Sequence, residues 1–143
     1  MKASAVKRIM LLFWALWLSV IAATNLFSLL KALGLVSRDF VFASNNFALV
    51  HSYMALYHVP HNLIVVAFGK IVGWQWFTAW LFFRAFRSRR TANAAYGAGL
   101  ALFAAFLVAG EVFLRFDYEA IHMRILIALL LSWLALHLVP DDD

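Results

Sequence analysis

Four long apolar runs, separated by unevenly placed charges, organise this chain: residues 9–30, 63–86, 92–113 and 121–139. A helix rises ~1.5 Å per residue, so about 20 apolar residues cross the ~30 Å hydrocarbon layer of a bilayer. No water is available there to satisfy a free backbone, and runs of this length must then be helical. The pattern predicts an all-α membrane protein: four transmembrane helices in an antiparallel bundle, forming one membrane-embedded domain over residues 1–143.

The connections differ in length. Those at 88–91 and 115–120 are short, which makes the helices they join antiparallel neighbours. The first, about 31–61, is too long for a turn, and long ordered loops often carry function. Within it Ser44 or Asn45 is a candidate helix N-cap. Phe47, Val50, Met54 and Tyr57 then recur at helical spacing before Pro60. A short amphipathic helix on the outer membrane surface is predicted, inside an interfacial segment of about 36–60.

Composition agrees. The chain is 66% hydrophobic and 13% charged, whereas a soluble domain is about 25% charged. The net charge of +5 does not point to nucleic acid, because the basic residues flank the apolar runs. The bilayer is the partner this arrangement expects. Cysteine is absent, which excludes disulfides, thiolate metal sites, Fe–S clusters and Cys nucleophiles. Lys2, Lys7 and Arg8 ahead of an apolar run imitate a signal peptide, with Val20-Ile21-Ala22 as its cleavage site. The run continues to Leu30, so an uncleaved first span is expected.

Charge also sets orientation. The segment before span one carries Lys2, Lys7 and Arg8; the end of span two and the connection after it carry Arg84, Arg87, Arg89 and Arg90. These two segments share one side. The positive-inside rule puts that side, and both termini, in the cytoplasm. The tail Asp141-Asp142-Asp143 then faces Arg87, Arg89 and Arg90.

In lipid, helices associate through small residues that let backbones approach. Span three has Gly97, Ala101, Ala105 and Ala109 at i+4 spacing; span two has Gly69 and Gly73; span one has Ala15, Ser19 and Ala23. A compact bundle with span three central is expected. Trp76, Phe77, Trp80, Phe82 and Phe83 make an aromatic face on span two, suited to lipid or to a partner.

Counting rise from the cytoplasmic boundary places polar groups at similar depth. Asn25 stands ~25 Å up, Lys70 ~25 Å, Gln75 ~18 Å, Glu111 ~30 Å, His122 ~27 Å and Arg124 ~24 Å. A lone charge there is costly, whereas a paired charge facing the bundle interior is tolerated. Glu111 with Arg124 is the expected pair. Asn25, Gln75, Glu111 and Arg124 read first as a clasp fixing helix register. The alternative is that the cluster, with Lys70 and His122 in it, lines an outward-opening cavity that binds a small molecule or conducts an ion; Lys70 joins the pair or snorkels outward past Pro60.

His51, His58, His61 and His122 map to the outer side and are weak candidates for a divalent metal with Glu111 or Asp117. Ordinary interfacial histidines are the simpler reading. A membrane haem needs histidines from two helices at matching depth. Only span four carries any, His122 and His137, at opposite ends, so a buried bis-His haem held by this chain alone is not expected, and no other cofactor is specified. No G-x-S-x-G, H-E-x-x-H, Walker or G-x-G-x-x-G pattern occurs.

The order of these marks resembles a family of bacterial predicted small integral membrane proteins of unknown function. The resemblance rests on Thr24-Asn25-Leu26, Ser44-Asn45-Asn46-Phe47-Ala48-Leu49-Val50, Gly73-Trp74-Gln75, Gly110-Glu111-Val112-Phe113 and the acidic tail. An extra Asn precedes Phe47, and Gln75 stands where the family has Glu. The resemblance implies four spans in the same orientation and brings no activity. The expected role is a non-catalytic accessory or scaffold subunit of a larger inner-membrane complex, packed against other membrane subunits or a second copy. A small-molecule or ion-handling protein is the alternative, and an enzyme using the outer histidines with Glu111 a second one.

Overall fold

The computed structural model describes residues 2–140; Met1 and residues 141–143, with them the acidic tail, lie outside the described residues. Five helices follow one another: α1 (Ala3–Ala32), α2 (Asn46–Leu56), α3 (His61–Arg87), α4 (Ala92–Val112) and α5 (Glu119–Leu138). Single 3-10 turns precede α4 and α5, at Arg89–Thr91 and Phe116–Tyr118. No strand occurs among the described residues. The helices α1, α3, α4 and α5 are each long and apolar enough to cross a membrane. The chain is a multi-pass, all-helical membrane protein.

The first connection holds one helix, α2, as its spacing predicts. Asn45 is its N-cap without a side-chain bond. Ser44 supplies the local bond instead, its Oγ accepting from the Asn46 amide at 3.3 Å. Three helices end alike, with a residue of positive φ just past the last turn. At Gly34 (φ +73°) the Leu35 amide returns to the Leu30 carbonyl at 2.9 Å. At His58 (φ +55°) the Val59 amide returns to Met54, and at Leu114 (φ +52°) the Arg115 amide returns to Gly110. This is the 6→1 closure of a Schellman motif, which favours glycine at the left-handed position. Only the first of the three sites has it.

The described fold divides into two compact units whose boundaries fall inside α1 and α3. One is Leu18–Trp76. Its core is Leu29, Phe47, Ile64, Phe68 and Val72, with Val50 and Met54 packed against it. Thus α2 buries the face its spacing marks, apart from Tyr57, which is exposed beyond the helix end. Phe47 meets Phe68 edge-on at 5.3 Å between centroids.

The other unit comprises Met1–Trp17 and Phe77–Asp143. Leu11, Trp14, Phe82, Tyr96, Leu102, Phe103 and Leu129 are buried there. Phe82 meets Tyr96 edge-on at 5.0 Å, and Trp17 lies 6.1 Å from Phe103. Trp14 Nε1 donates to Ser132 Oγ at 3.2 Å, and Trp133 Nε1 to Asn93 Oδ1 at 3.0 Å. The indole donor of buried Trp14 is thereby satisfied, as a buried tryptophan requires; the Trp133 bond is exposed. Trp76, Phe77, Trp80 and Phe83 are exposed, as an aromatic face toward lipid requires, while Phe82 turns inward.

Packing of α4 departs from the expected face. Gly97, Ala101 and Ala105 are exposed and Ala109 is half-buried. The buried positions are Ala92, Ala95, Tyr96, Gly99, Leu102 and Phe103. The close approach is at Gly99, where an added Cβ would meet both Leu129 methyls at 3.4 Å and Phe82 at 3.7 Å. At Gly97 it would meet nothing within 4 Å. The helix is rich in small residues on both faces, and the bulk of Leu129 and Phe82 selects the one that packs. On α3, a Cβ at Gly69 would lie 3.9 Å from Leu29, whereas Gly73 is open.

Candidate functional site

A chain of hydrogen bonds in the unit Leu18–Trp76 joins α1, α3 and the start of α2. Asn25 and Gln75 are both buried. The Asn25 amide nitrogen donates to Gln75 Oε1 at 3.0 Å. Asn25 Oδ1 accepts from Ser44 Oγ at 2.7 Å and from Asn46 Nδ2 at 2.8 Å. A carbonyl oxygen has two lone pairs, and both are used.

The backbone joins in. The Ser44 amide donates to the Thr24 carbonyl at 3.0 Å, and the Phe47 amide donates to the hydroxyl of buried Ser28 at 3.2 Å. The latter bond satisfies one of the amide donors a helix start leaves open, so a side chain of α1 joins Ser44 in capping α2. Lys31 Nζ donates to the Phe40 carbonyl at 3.2 Å and ties down the earlier part of the connection. Together these bonds lash the segment 40–47 along α1.

Of the polar residues expected at one depth, Asn25 and Gln75 meet. Lys70, in the same unit, is exposed and takes no part in their network. Glu111, His122 and Arg124 belong to the other unit. There the expected Glu111–Arg124 pair does not form. Both residues are exposed, and Glu111 stands beside Glu119 at the start of α5. The helical period explains this. Arg124 is five residues beyond Glu119, about 140° around the axis and ~7.5 Å further along it. Depth counting places residues along a helix but says nothing of azimuth. Arg115 pairs loosely with Asp117 at 3.9 Å. His122 packs against Phe106 and Phe103, with ring centroids at 5.0 and 6.3 Å.

In the unit Leu18–Trp76, two of the outer histidines meet. His51 and His61 face each other at 5.3 Å between centroids, each also against Phe47. His58 is exposed at the positive-φ position. No group of three His, Asp or Glu with metal-holding geometry occurs among the described residues.

No protein-family model, curated protein or solved structure matches the chain. The contribution of Ser28, Ser44 and Asn46 is not visible to depth counting, because two of them reach Asn25 from the connection. The one signal for Ser44 and Asn46 in the sequence is the cluster of small polar residues Ser44-Asn45-Asn46.

Proposed function

We propose that this protein is a non-catalytic accessory subunit of a bacterial inner-membrane complex, with both termini in the cytoplasm. The observation that carries the reading is the closed state of its polar interior. Asn25 Oδ1 holds two donors while its amide engages Gln75, so the network is committed to fixing α1, α3 and the connection. Such a network rigidifies the fold and specifies a single arrangement. It supports the clasp over the open binding cavity.

The surface suited to a partner is the outward ridge of α4: Gly97, Ala101 and Ala105. Apolar residues gain nothing by leaving lipid for lipid-like surroundings, so transmembrane association rests on close van der Waals packing over small residues. The occupant this ridge fits is a transmembrane helix of another subunit with a small-residue face of its own.

The test is mild-detergent purification from the native membrane of the unaltered chain and of Gly97→Leu and Ala101→Leu. A membrane protein co-purifying in fixed ratio with the unaltered chain, and lost from both variants, is the expected result. Equal recovery with the variants would remove the ridge from the account. A bound small molecule or metal in place of a protein would favour the binding-protein alternative.

A further inference from the structure

Beyond a protein partner, we infer that the chain holds the phosphate headgroup of an anionic phospholipid in a basic pocket at one end of the unit formed by Met1–Trp17 and Phe77–Asp143. The cavity, about 670 Å³, is lined by Lys2, Ser4, Arg8, Phe86, Arg87 and Arg89. Its volume lies in the ~300–1,000 Å³ range of small-molecule pockets. Four cationic side chains, those of Lys2, Arg8, Arg87 and Arg89, line it.

Three observations select a lipid headgroup. The walls are Lys2 and the first turns of α1, the last turn of α3, and Arg89 in the 3-10 turn after it; α1 and α3 are both able to span a membrane. The pocket therefore opens where the apolar runs stop, at headgroup level. The α1 N-terminus adds its positive dipole end to the side-chain charge. The lining joins cations to the ring of Phe86, matching a phosphodiester attached to the start of an acyl chain. Guanidinium groups bind phosphate oxygens through paired N–H donors. Basic pockets between transmembrane helices take lipid headgroups in this way.

The experiment is native mass spectrometry of the detergent-solubilised full chain, titrated with phosphatidylglycerol, phosphatidylcholine or inorganic phosphate. The expected result is phosphatidylglycerol adducts that survive where phosphatidylcholine adducts do not. Each basic residue near a membrane surface contributes about fivefold, so Arg8→Gln with Arg87→Gln should weaken binding roughly 25-fold. Arg124→Gln, outside the pocket, should leave it unchanged. Should the double variant fail to fold by circular dichroism, each single variant should still show about a fivefold loss. Equal affinity for the two lipids, or unchanged affinity in the folded variants, would overturn the proposal. So would inorganic phosphate binding as tightly as the lipid, which would make this a free-phosphate site. Lipid binding seen only after Asp141, Asp142 and Asp143 are changed to Asn would assign the pocket to the chain's own tail and overturn it as well.

Discussion

Asn25 on α1 and Gln75 on α3 share a buried side-chain hydrogen bond of 3.0 Å, fifty positions apart in the chain. Because Asn25 Oδ1 also accepts from Ser44 and Asn46, this one side chain joins two long helices to the connection between them. Removing Asn25 strands buried Gln75 and takes an acceptor from half-buried Ser44 and exposed Asn46; an unsatisfied buried polar group costs about 1–3 kcal/mol. Asn25→Leu should therefore destabilise the chain in detergent more than Gln75→Leu, which strands one. The double variant should fall short of the sum by about 0.5–1.5 kcal/mol, the range of interhelical bonds in membranes. Additive losses in thermal unfolding would mean the two residues are not coupled.

On α4 the two faces should respond differently to bulk. A leucine at Gly99 would drive into Leu129 and Phe82, already 3.4 and 3.7 Å from a single added Cβ. Overpacking of that kind costs typically 1–3 kcal/mol. Gly97→Leu meets open space and should leave the melting temperature of the isolated chain unchanged. The comparison separates packing within the chain from packing with a partner.

Leu114 sits in the left-handed region at the end of α4 (φ +52°). A side chain with a Cβ pays roughly 1–2 kcal/mol there, and glycine removes that strain at the expense of some unfolded-state entropy. Leu114→Gly should raise stability by about 0.5–1 kcal/mol. A melting temperature that falls instead would show that the exposed leucine side chain contributes more than its backbone conformation costs.

The orientation is tested by chemical labelling, helped by the absence of native cysteine. Cysteine at exposed Ser88, between α3 and α4, should resist a membrane-impermeant thiol reagent in intact cells. Cysteine at exposed Asp39, in the first connection, should react. The reverse pattern would invert the topology.

The four spans were legible because run length and backbone satisfaction leave one answer. The helix α2 was legible because Phe47, Val50 and Met54 fall on one side of a helical period, and they are the residues that pack. The site was legible in half. Asn25 and Gln75 meet across α1 and α3, but depth cannot register azimuth, so Glu111 and Arg124 match along the axis while facing apart. The α4 stripe failed for a related reason. Ala92, Ala95 and Gly99 are as small as Gly97, Ala101 and Ala105, and only the bulk of Leu129 and Phe82 decides between the faces. Ser28 was out of reach because its bond to the Phe47 amide depends on how the connection folds back along α1.

The accessory-subunit account stands most directly on what touches the outward ridge of α4 in the native membrane. A photoreactive residue placed at Ala101, with a control at exposed Phe13 on α1, reads that contact by cross-linking in intact cells. The account predicts one discrete protein adduct from position 101, abolished by Gly97→Leu, and none from position 13. Lipid adducts alone at both positions would contradict it.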